Sequence, residues 1–372
     1  VCHLLNGFAF KSKLYANDGI RVIRIANVQN GYLEDSMPCF YPWDLEKSIE
    51  KYFLEEDDLL ISLTGNVGRV ALVEKSFLPA ALNQRVACLR IKNESYLRKR
   101  YLYHLLNSAS FEDKCIKSAN GIAQKNLSTE WVKDYLIPIP SLSTQDAVVN
   151  RLDLIQFQLT NARNSIDLLN SLIKSRFVEM FERQEYSKVP IGNLVISKMS
   201  LAKDTFGDTD PIRYIDISSI DNSMGEVMGF TEYVFGEAPS RAQQCIGGGD
   251  ILVSTVRPNL KNVAVNKFDG DNLVASSGFC VLRCVGCSIE YMRAIVRSDR
   301  FTREMCQLTT GANYPAIKKR DVLEYMIPNP PMQQMNEFTV FVQQIDKLRF
   351  AIQEQIKKLE TLKASLMQEY FG

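Results

Sequence analysis

The side chains best suited to chemistry in this sequence are amides and cations in polar loops, and the chemistry they suit is contact with nucleic acid. Arg and Lys can hydrogen-bond to guanine, Asn and Gln can pair with adenine, and Lys or Arg can also hold phosphates. In the first half of the chain the candidate DNA-binding residues are Thr64, Asn66, Arg69, Asn83, Gln84, Arg85, Gln124, Lys125 and Asn126. In the second half they are Thr255, Arg257, Asn259, Lys261, Asn262, Asn313, Tyr314, Lys318, Lys319 and Arg320. Any one of them fits an ordinary surface loop equally well, so only the whole set favours nucleic acid.

Motifs for catalysis are weaker. The segment Asn329-Pro-Pro-Met332 is similar to the Asn-Pro-Pro-aromatic motif of adenine methyltransferases, but it has Met where an aromatic ring would stack on a flipped base. Gly247-Gly-Gly-Asp250 lacks the Gly-Lys-Ser/Thr ending of a phosphate-binding loop and fits a turn before a strand. Glu112-Asp-Lys114 has the Glu-x-Lys spacing of some nucleases without a paired upstream acid. We therefore expect no catalytic site, with a free-standing methyltransferase or nuclease as the alternative.

Cysteine and histidine usage argues against a metal site. Cys280, Cys284 and Cys287 form one cluster, but a zinc site needs about four ligands, and the only histidines are His3 and His104. The nine cysteines are scattered, mostly in apolar runs, which is typical of reduced, buried thiols in a cytoplasmic protein. No stretch approaches the roughly 20 apolar residues that cross a bilayer, so we expect no membrane association.

The net charge is only +1. A nucleic-acid-binding protein of this composition has to concentrate its basic residues on one face. Since each phosphate contact adds salt-sensitive affinity, we expect the isolated chain to bind DNA weakly.

The elements that must position these loops occur twice. Ile137-Pro-Ile-Pro140 precedes a long amphipathic helical stretch, and 190 positions later Ile327-Pro-Asn-Pro330 precedes another. Upstream, Asp58-Leu-Leu-Ile-Ser62 parallels Asp250-Ile-Leu-Val-Ser254. A repeat of this length indicates a tandem duplication of a domain plus a helix. The polar loops fall at matching positions but differ in content, which predicts that the two copies recognise different things.

Within each copy the pattern predicts a mixed α/β domain. In the first copy the strands are expected at Arg21–Asn27, Leu59–Leu63, Val70–Val73 and Arg85–Ile91. The second copy begins with Val189-Pro-Ile-Gly-Asn-Leu194, which has no counterpart in the first. We therefore expect that a short leading segment belongs before Val1.

Each long helical stretch carries a heptad pattern of apolar residues, which is typical of a coiled-coil seam. The predicted helix–helix packing residues are Leu152, Leu159, Ile166, Ile173, Ile345, Ile352, Leu359 and Leu366. In the second helix Phe341, Leu348 and Leu362 are expected at the intermediate positions. The predicted fold class is α+β: two mixed α/β domains joined by two long antiparallel coiled-coil helices, in an internal pseudo-two-fold repeat. The alternatives are that each helix packs on its own domain or that the chain dimerises.

The full pattern resembles the specificity subunit of type I restriction–modification systems. The resemblance covers essentially the whole chain and is carried by five segments: Asn6–Lys11, Ile20–Asn27, Gly121–Leu127, Ile137–Gln145 and Ile327–Pro331, together with the two long helices. One departure is Met335, which stands where the first copy has Gln145.

The resemblance implies a domain organisation and a function. Residues 1–140 and 185–330 would be two target-recognition domains, each reading one half of a bipartite double-stranded DNA site, which loop divergence predicts to be asymmetric. Residues 141–184 and 331–372 would be the helices that set the spacer and dock two methyltransferase subunits, with restriction subunits outside. The subunit itself would be non-catalytic, without a cofactor, since its partner subunits use S-adenosylmethionine, ATP and Mg²⁺. A coiled-coil scaffold that only joins proteins is a further alternative.

Overall fold

The structure, a computed structural model, describes residues 1–121, 125–222, 224–310 and 315–372. It divides into two compact units. Unit 1 comprises Val1–Arg163 with Gln353–Gly372, and unit 2 comprises Asn164–Ile352. Each unit thus contains one mixed α/β domain and one part of each long helix, which confirms the predicted fold class.

In unit 1 the residues that the structure describes form two small sheets. Its strands are β1 (Cys2–Asn6), β2 (Ile20–Ile23), β3 (Phe40–Tyr41), β4 (Leu59–Ser62), β5 (Val70–Leu72), β6 (Ala80–Leu82) and β7 (Val86–Ile91). Its helices are α1 (Glu46–Ile49), α2 (Lys99–Leu106), α3 (Ala109–Ser118), α4 (Thr129–Asp134) and the first part of α5 (Leu142–Phe177). One sheet has the order β1-β7-β4-β5 and the other the order β3-β2-β6. All four residues of β4 are buried, which fits the apolar run Leu59–Ile61.

The described residues of unit 2 form three sheets. Its strands are β8 (Lys188–Pro190), β9 (Val195–Ile196), β10 (Pro211–Ile215), β11 (Ile220–Asp221), β12 (Glu226–Val227), β13 (Thr231–Val234), β14 (Ala242–Cys245), β15 (Ile251–Ser254), β16 (Val263–Val265), β17 (Leu273–Ser276), β18 (Phe279–Cys284) and β19 (Met326–Pro328). Its helices are α6 (Ile289–Arg297), α7 (Asp299–Gln307), α8 (Lys319–Leu323), the second part of α5 and the first part of α9 (Met332–Phe371), whose last part belongs to unit 1. The strand orders are β11-β12-β16-β15-β18-β9, β13-β10-β17-β14 and β19-β8. The antiparallel pair of β15 and β18 repeats that of β4 and β7.

One predicted strand is shorter than expected. The segment expected to be extended from Arg21 to Asn27 leaves the sheet after Ile23 and forms a short helical turn at Ile25–Asn27. The Asn27 side chain causes this exit, because its carbonyl accepts a hydrogen bond from Arg24 N at 2.9 Å and its amide donates to Glu34 O at 2.8 Å. Asn often competes in this way with the regular backbone pairing.

The proline segments before the long helices are held in the same way in both units. Tyr101 donates from its hydroxyl to Pro138 O at 3.4 Å, and Tyr291 donates to Pro328 O at 2.6 Å. Both tyrosines lie on the helix that follows the central strands, so the exit of each long helix is tied to its own domain.

The helices are antiparallel where they meet in unit 1. Arg151 Nη1 donates to the Tyr370 hydroxyl at 2.7 Å, and Arg163 Nη2 to Glu360 Oε1 at 2.9 Å. Residue numbers therefore rise along α5 while they fall along α9. The predicted packing residues Leu152 and Leu159 are buried in this unit.

The remaining predicted packing residues lie at different depths. In unit 2, Ile345 is buried, whereas Ile166, Ile173 and Ile352 are half-buried. In unit 1, Leu359 and Leu366 are half-buried.

The predicted intermediate positions of α9 are partly wrong. Leu348 is 54% exposed and Leu362 is 48% exposed, whereas Val342 and Arg349 are buried. A helix turns by about 100° per residue. A residue four positions after a seam residue therefore lies about 40° from it around the helix, whereas a residue three positions after it lies about 60° away on the opposite side. In α9 the buried intermediate residues are those four positions after Phe338 and Ile345, namely Val342 and Arg349.

Candidate nucleic-acid interface

Three loops that are far apart in sequence meet in unit 1. Thr64 pairs with Asn126 in an antiparallel bridge, and Gly65 N donates to Lys125 O at 2.8 Å. On the other side of the same strand end, Leu63 N donates to Arg85 O at 3.0 Å. The backbone therefore brings the candidate segments 64–69, 83–85 and 125–126 to one edge of the domain.

The same arrangement recurs in unit 2. Val256 bridges Ala316, Arg257 N donates to Pro315 O at 2.8 Å, and Thr255 N donates to Gly278 O at 2.9 Å. The candidate segments 255–262 and 318–320 thus meet at the end of β15.

The third loop of unit 2, residues 276–278, was not recognised in the sequence because Ser277 and Gly278 carry neither an amide nor a cation. Only its position could have identified this loop, because residues 276–278 align with Asn83–Arg85 of the first copy.

Most of the candidate side chains lie at the surface of these edges. The exposed ones are Asn66, Gln84, Arg85, Lys125, Asn126, Arg257, Asn259, Lys318 and Arg320, and the half-buried ones are Thr64, Arg69, Thr255, Lys261 and Lys319. Gln124, Asn313 and Tyr314 lie outside the described residues. Each unit therefore presents several hydrogen-bonding groups and cations along one short edge.

Two candidate amides are buried. Asn83 accepts a hydrogen bond from Arg85 N at 3.2 Å through its side-chain carbonyl. Asn262 is buried at the start of β16, where its backbone carbonyl accepts from Ser254 N at 2.9 Å. In this structure neither amide is presented at the surface, so these two residues shape the loops.

Several candidate cations have side-chain partners. Arg69 donates to Gln29, Lys261 pairs with Asp299, and Arg320 pairs with Glu324 at 2.7 Å. Ion pairs at the surface contribute little, typically about 0–1 kcal/mol, so DNA phosphates can compete for Lys261 and Arg320. Lys319 differs, because burial lowers its pKa and its ammonium donates to Gln244.

The loop of unit 2 is held by two residues in the left-handed region. Arg257 has a φ of 50° and Lys261 a φ of 52°, and the buried Pro258 lies between them. A non-glycine residue in this conformation costs on the order of 1 kcal/mol or more, and such strain concentrates at functional sites. The corresponding loop of unit 1 uses Gly68, at φ 81°, where an added Cβ would lie 2.7 Å from Cys115 Cβ.

A comparison with protein families identifies the class. Residues 1–168 match the family model described as "Type I restriction modification DNA specificity domain". Residues 1–168 therefore carry a type I restriction–modification DNA specificity domain, which confirms the family resemblance for this part of the chain.

The chain is similar to curated members of this class. It is 27% identical over 176 residues to the type I restriction enzyme EcoBI specificity subunit of Escherichia coli, covering 47% of this chain and 34% of that protein. It is 31% identical over 161 residues to the EcoAI specificity subunit of Escherichia coli, covering 42% of this chain and 27% of that protein. The chain thus matches about a third or less of the length of these two relatives.

One solved structure extends the fold comparison to the whole chain. The S subunit of a type I restriction–modification system from M. genitalium aligns with a TM-score of 0.60 at 14% identity, covering 100% of this chain and 94% of that one. At this identity the match shows the fold.

No helix in the described part of the chain is long and apolar enough to span a membrane. Among the same residues no group of three or more His, Cys, Asp or Glu side chains is placed to hold a metal ion.

Proposed function

We propose that this chain is the DNA-specificity subunit of a cytoplasmic type I restriction–modification complex. Residues 1–140 and 185–330 act as two target-recognition domains, and each reads one half of a bipartite, asymmetric site in double-stranded DNA. The specificity domain matched by residues 1–168 and the specificity subunits among the relatives support this proposal.

The observation that carries the proposal is the repeated convergence of loops with different side chains. Unit 1 exposes Gln84, Arg85 and Lys125 at its edge, and unit 2 exposes Arg257 and Lys318 at the matching edge. Equivalent backbone positions with unlike hydrogen-bonding groups are what two readers of different base sequences require, because base-edge contacts specify sequence while phosphate contacts set register.

The two long helices, residues 141–184 and 331–372, set the spacer between the half-sites. Helices fix half-site separation geometrically in other DNA-binding proteins. The antiparallel contacts of α5 with α9 within unit 1 support a stiff pairing.

The same helices dock two methyltransferase subunits, with restriction subunits added outside. Exposed apolar side chains one helical turn apart on α5 support a protein-binding role: Leu154 and Phe157 in unit 1 are 57% and 63% exposed, and Leu168 and Leu172 in unit 2 are 70% and 47% exposed. Apolar side chains left in water on a helix are commonly protein-binding positions when they cluster. Chemistry belongs to the partners, which use S-adenosylmethionine, ATP and Mg²⁺, and this chain is non-catalytic.

Co-expression with a methyltransferase subunit tests the proposal. Methylation of one split DNA sequence should require both proteins, which sequencing that detects methylated bases can read directly. Methylation by this chain alone would show a free-standing enzyme. A stable complex that methylates without sequence preference would show a scaffold.

A further inference from the structure

A cleft of about 460 Å³ in unit 2 concentrates arginines. It lies between the helix pair α6 and α7 and the parts of α5 and α9 that belong to this unit. Arg293, Arg297 and Arg349 all line it. The DNA-reading edge described above accounts for none of these three residues.

These arginines are specific to the second copy. At the matching positions of the repeat, each 190 residues earlier, the first copy has Tyr103, Asn107 and Leu159. The first copy has its own cleft at this place, which Tyr103, Asn107 and Leu159 also line. The fold therefore forms the cleft twice but makes it rich in arginine only once, so the arginines are not needed to build the fold.

Arg349 occupies a position that the helix packing would fill with an apolar side chain. Leu159 is buried at the equivalent position in unit 1, and Arg349 is 6% exposed. Its Nη1 donates to Asp346 Oδ1 at 2.8 Å, but among the described residues its buried Nε has no hydrogen-bond acceptor. A buried guanidinium with an unused donor carries a desolvation cost, and an acceptor entering the cleft would offset it.

Carboxylates offset only part of the positive charge of the three arginines. Asp346 is shared, because Arg293 also pairs with it at 3.8 Å while pairing with Glu290 at 3.2 Å. Arg297 donates to the backbone carbonyls of Val263 at 3.0 Å and Asn222 at 2.8 Å. Burial, followed by the positive charges of Arg293 and Arg349, lowers the pKa of Arg297 to about 10, although the negative charges of Asp221 and Glu226 act in the opposite direction. The three guanidiniums therefore repel one another, and an anion placed among them would relieve that repulsion.

We propose that the cleft lined by Arg293, Arg297 and Arg349 binds an oxyanion, such as the phosphate or carboxylate group of a small molecule. Guanidinium forks suit these planar and tetrahedral acceptors because they donate paired hydrogen bonds. The volume holds more than a bare phosphate ion, so the natural ligand is an organic anion. A phosphate of a DNA backbone is a poor fit because a stiff duplex would have to reach a guanidinium that is almost fully buried.

Calorimetric titration of the full chain at constant ionic strength tests the site, with inorganic phosphate, sulfate and acetate as separate probes. Saturable binding is expected, together with a saturating rise in the unfolding temperature. Stronger binding of phosphate and sulfate than of acetate would assign a phosphate ligand, and the reverse order a carboxylate ligand. Absence of saturable binding of every probe would overturn the proposal.

Two variants locate the binding. Arg349→Leu introduces the residue of the first copy, where Leu159 packs at the equivalent position. Arg297→Asn likewise introduces the residue of the first copy, Asn107. Each should weaken the binding of the best probe about tenfold or more, as loss of one charge-assisted hydrogen bond predicts. The control is Arg176→Leu, which removes an exposed arginine paired with Glu179 on α5 of the same unit.

Unchanged affinity in Arg349→Leu and Arg297→Asn, or an equal loss in the control, would refute the site. Reduced affinity for duplex DNA without any binding of the small anions would also refute it, because it would show a DNA contact instead. These readouts require no methylation, so they stand or fall separately from the proposed DNA specificity.

Discussion

Arg90 on β7 donates two hydrogen bonds to the buried Asp58, which directly precedes the neighbouring strand β4. They run from Nε to Oδ1 at 2.7 Å and from Nη2 to Oδ2 at 2.6 Å. Arg283 and Asp250 repeat this pair in unit 2 at 2.8 and 2.7 Å. Each aspartate also accepts from the backbone of the turn before its strand, which explains why Gly247–Asp250 is a turn. The pair locks the central strands that carry the candidate DNA-binding loops.

Asp250→Asn should destabilise unit 2. Arg283 loses a charged partner, but it is about half exposed, so water compensates for part of the loss. We expect the free energy of unfolding to fall by about 1–2 kcal/mol, measured by urea denaturation. Asp271→Asn, at an exposed position, is the control and should stay within about 0.5 kcal/mol of the wild type. Equal stabilities of the two variants would contradict the structural role of the pair.

Gln145→Met should loosen the start of α5. The side chain of Gln145 is fully buried, accepts from Arg98 N at 2.8 Å, and donates to Tyr96 O at 2.8 Å and Pro140 O at 2.9 Å. Methionine, the residue at the equivalent position Met335, leaves these groups unpaired in unit 1. We expect a loss of about 2–3 kcal/mol in unfolding free energy.

The exposed Gln158→Met on the same helix is the matched control for this change. If Gln145→Met is as stable as this control, the hydrogen bonds of Gln145 do not hold the helix start.

Stability should fall as the pH falls from 7 to 5, because of His104. Burial lowers the pKa of His104, although its hydrogen bond with Asp153, at 2.7 Å, acts in the opposite direction. The folded state therefore prefers the neutral ring. Its contribution is present above the unfolded pKa of about 6.5 and is lost as the pH falls towards the lower folded value.

The test is the denaturation midpoint across this pH range. His104→Gln keeps a hydrogen-bonding group and should show a shallower decline. His3→Gln changes the other, exposed histidine and should behave like the wild type. Parallel pH profiles for all three proteins would rule out His104 as the cause.

Asp153 should cause a second decrease in folding stability at lower pH. Burial alone would raise its pKa, but hydrogen bonds from His104 and Arg100 outweigh burial and lower the pKa to about 2. Its stabilising contribution is therefore present above the unfolded pKa of about 3.9 and is lost as the pH falls towards 2.

Substitutions at the candidate DNA-binding edge of one unit should reduce sequence specificity at one half-site only. The double variant Gln84→Ala, Arg85→Ala removes exposed groups of unit 1, and each lost base contact should cost about 1–3 kcal/mol of discrimination. Sequencing of methylated sites, with the methyltransferase subunit present, should show one altered half-site. Lys318→Ala with Arg257→Ala should alter the other half-site. Changes in both half-sites from either variant would contradict separate readers.

The sequence predicts the repeated elements because their signals are local. The apolar run Leu59–Ile61, the proline exits and the heptads of α5 need only nearby residues to be recognised. The meeting of Thr64 with Asn126 could not be predicted, because it depends on strand pairing between distant segments.

The packed face of α9 was predicted only in part for a different reason. Leu348 and Val342 both fit an apolar stripe, and only the packing partner decides which one is buried. The heptad pattern likewise gave no sign that Arg349 would lie inside, since a charged residue normally indicates the solvent face.

The central claim is that the paired helices set the distance between two independently read half-sites. Deleting residues 164–170 from α5 together with residues 351–357 from α9 removes seven residues from each helix and keeps Arg163, Glu360 and Arg349. Seven helical residues span about 10.5 Å, which corresponds to about three base pairs of duplex.

The decisive measurement is the methylated sequence produced by this deletion variant with the methyltransferase subunit. Our account predicts the same two half-sites separated by a gap about three base pairs shorter than that of the wild type. An unchanged gap with an altered half-site would contradict it.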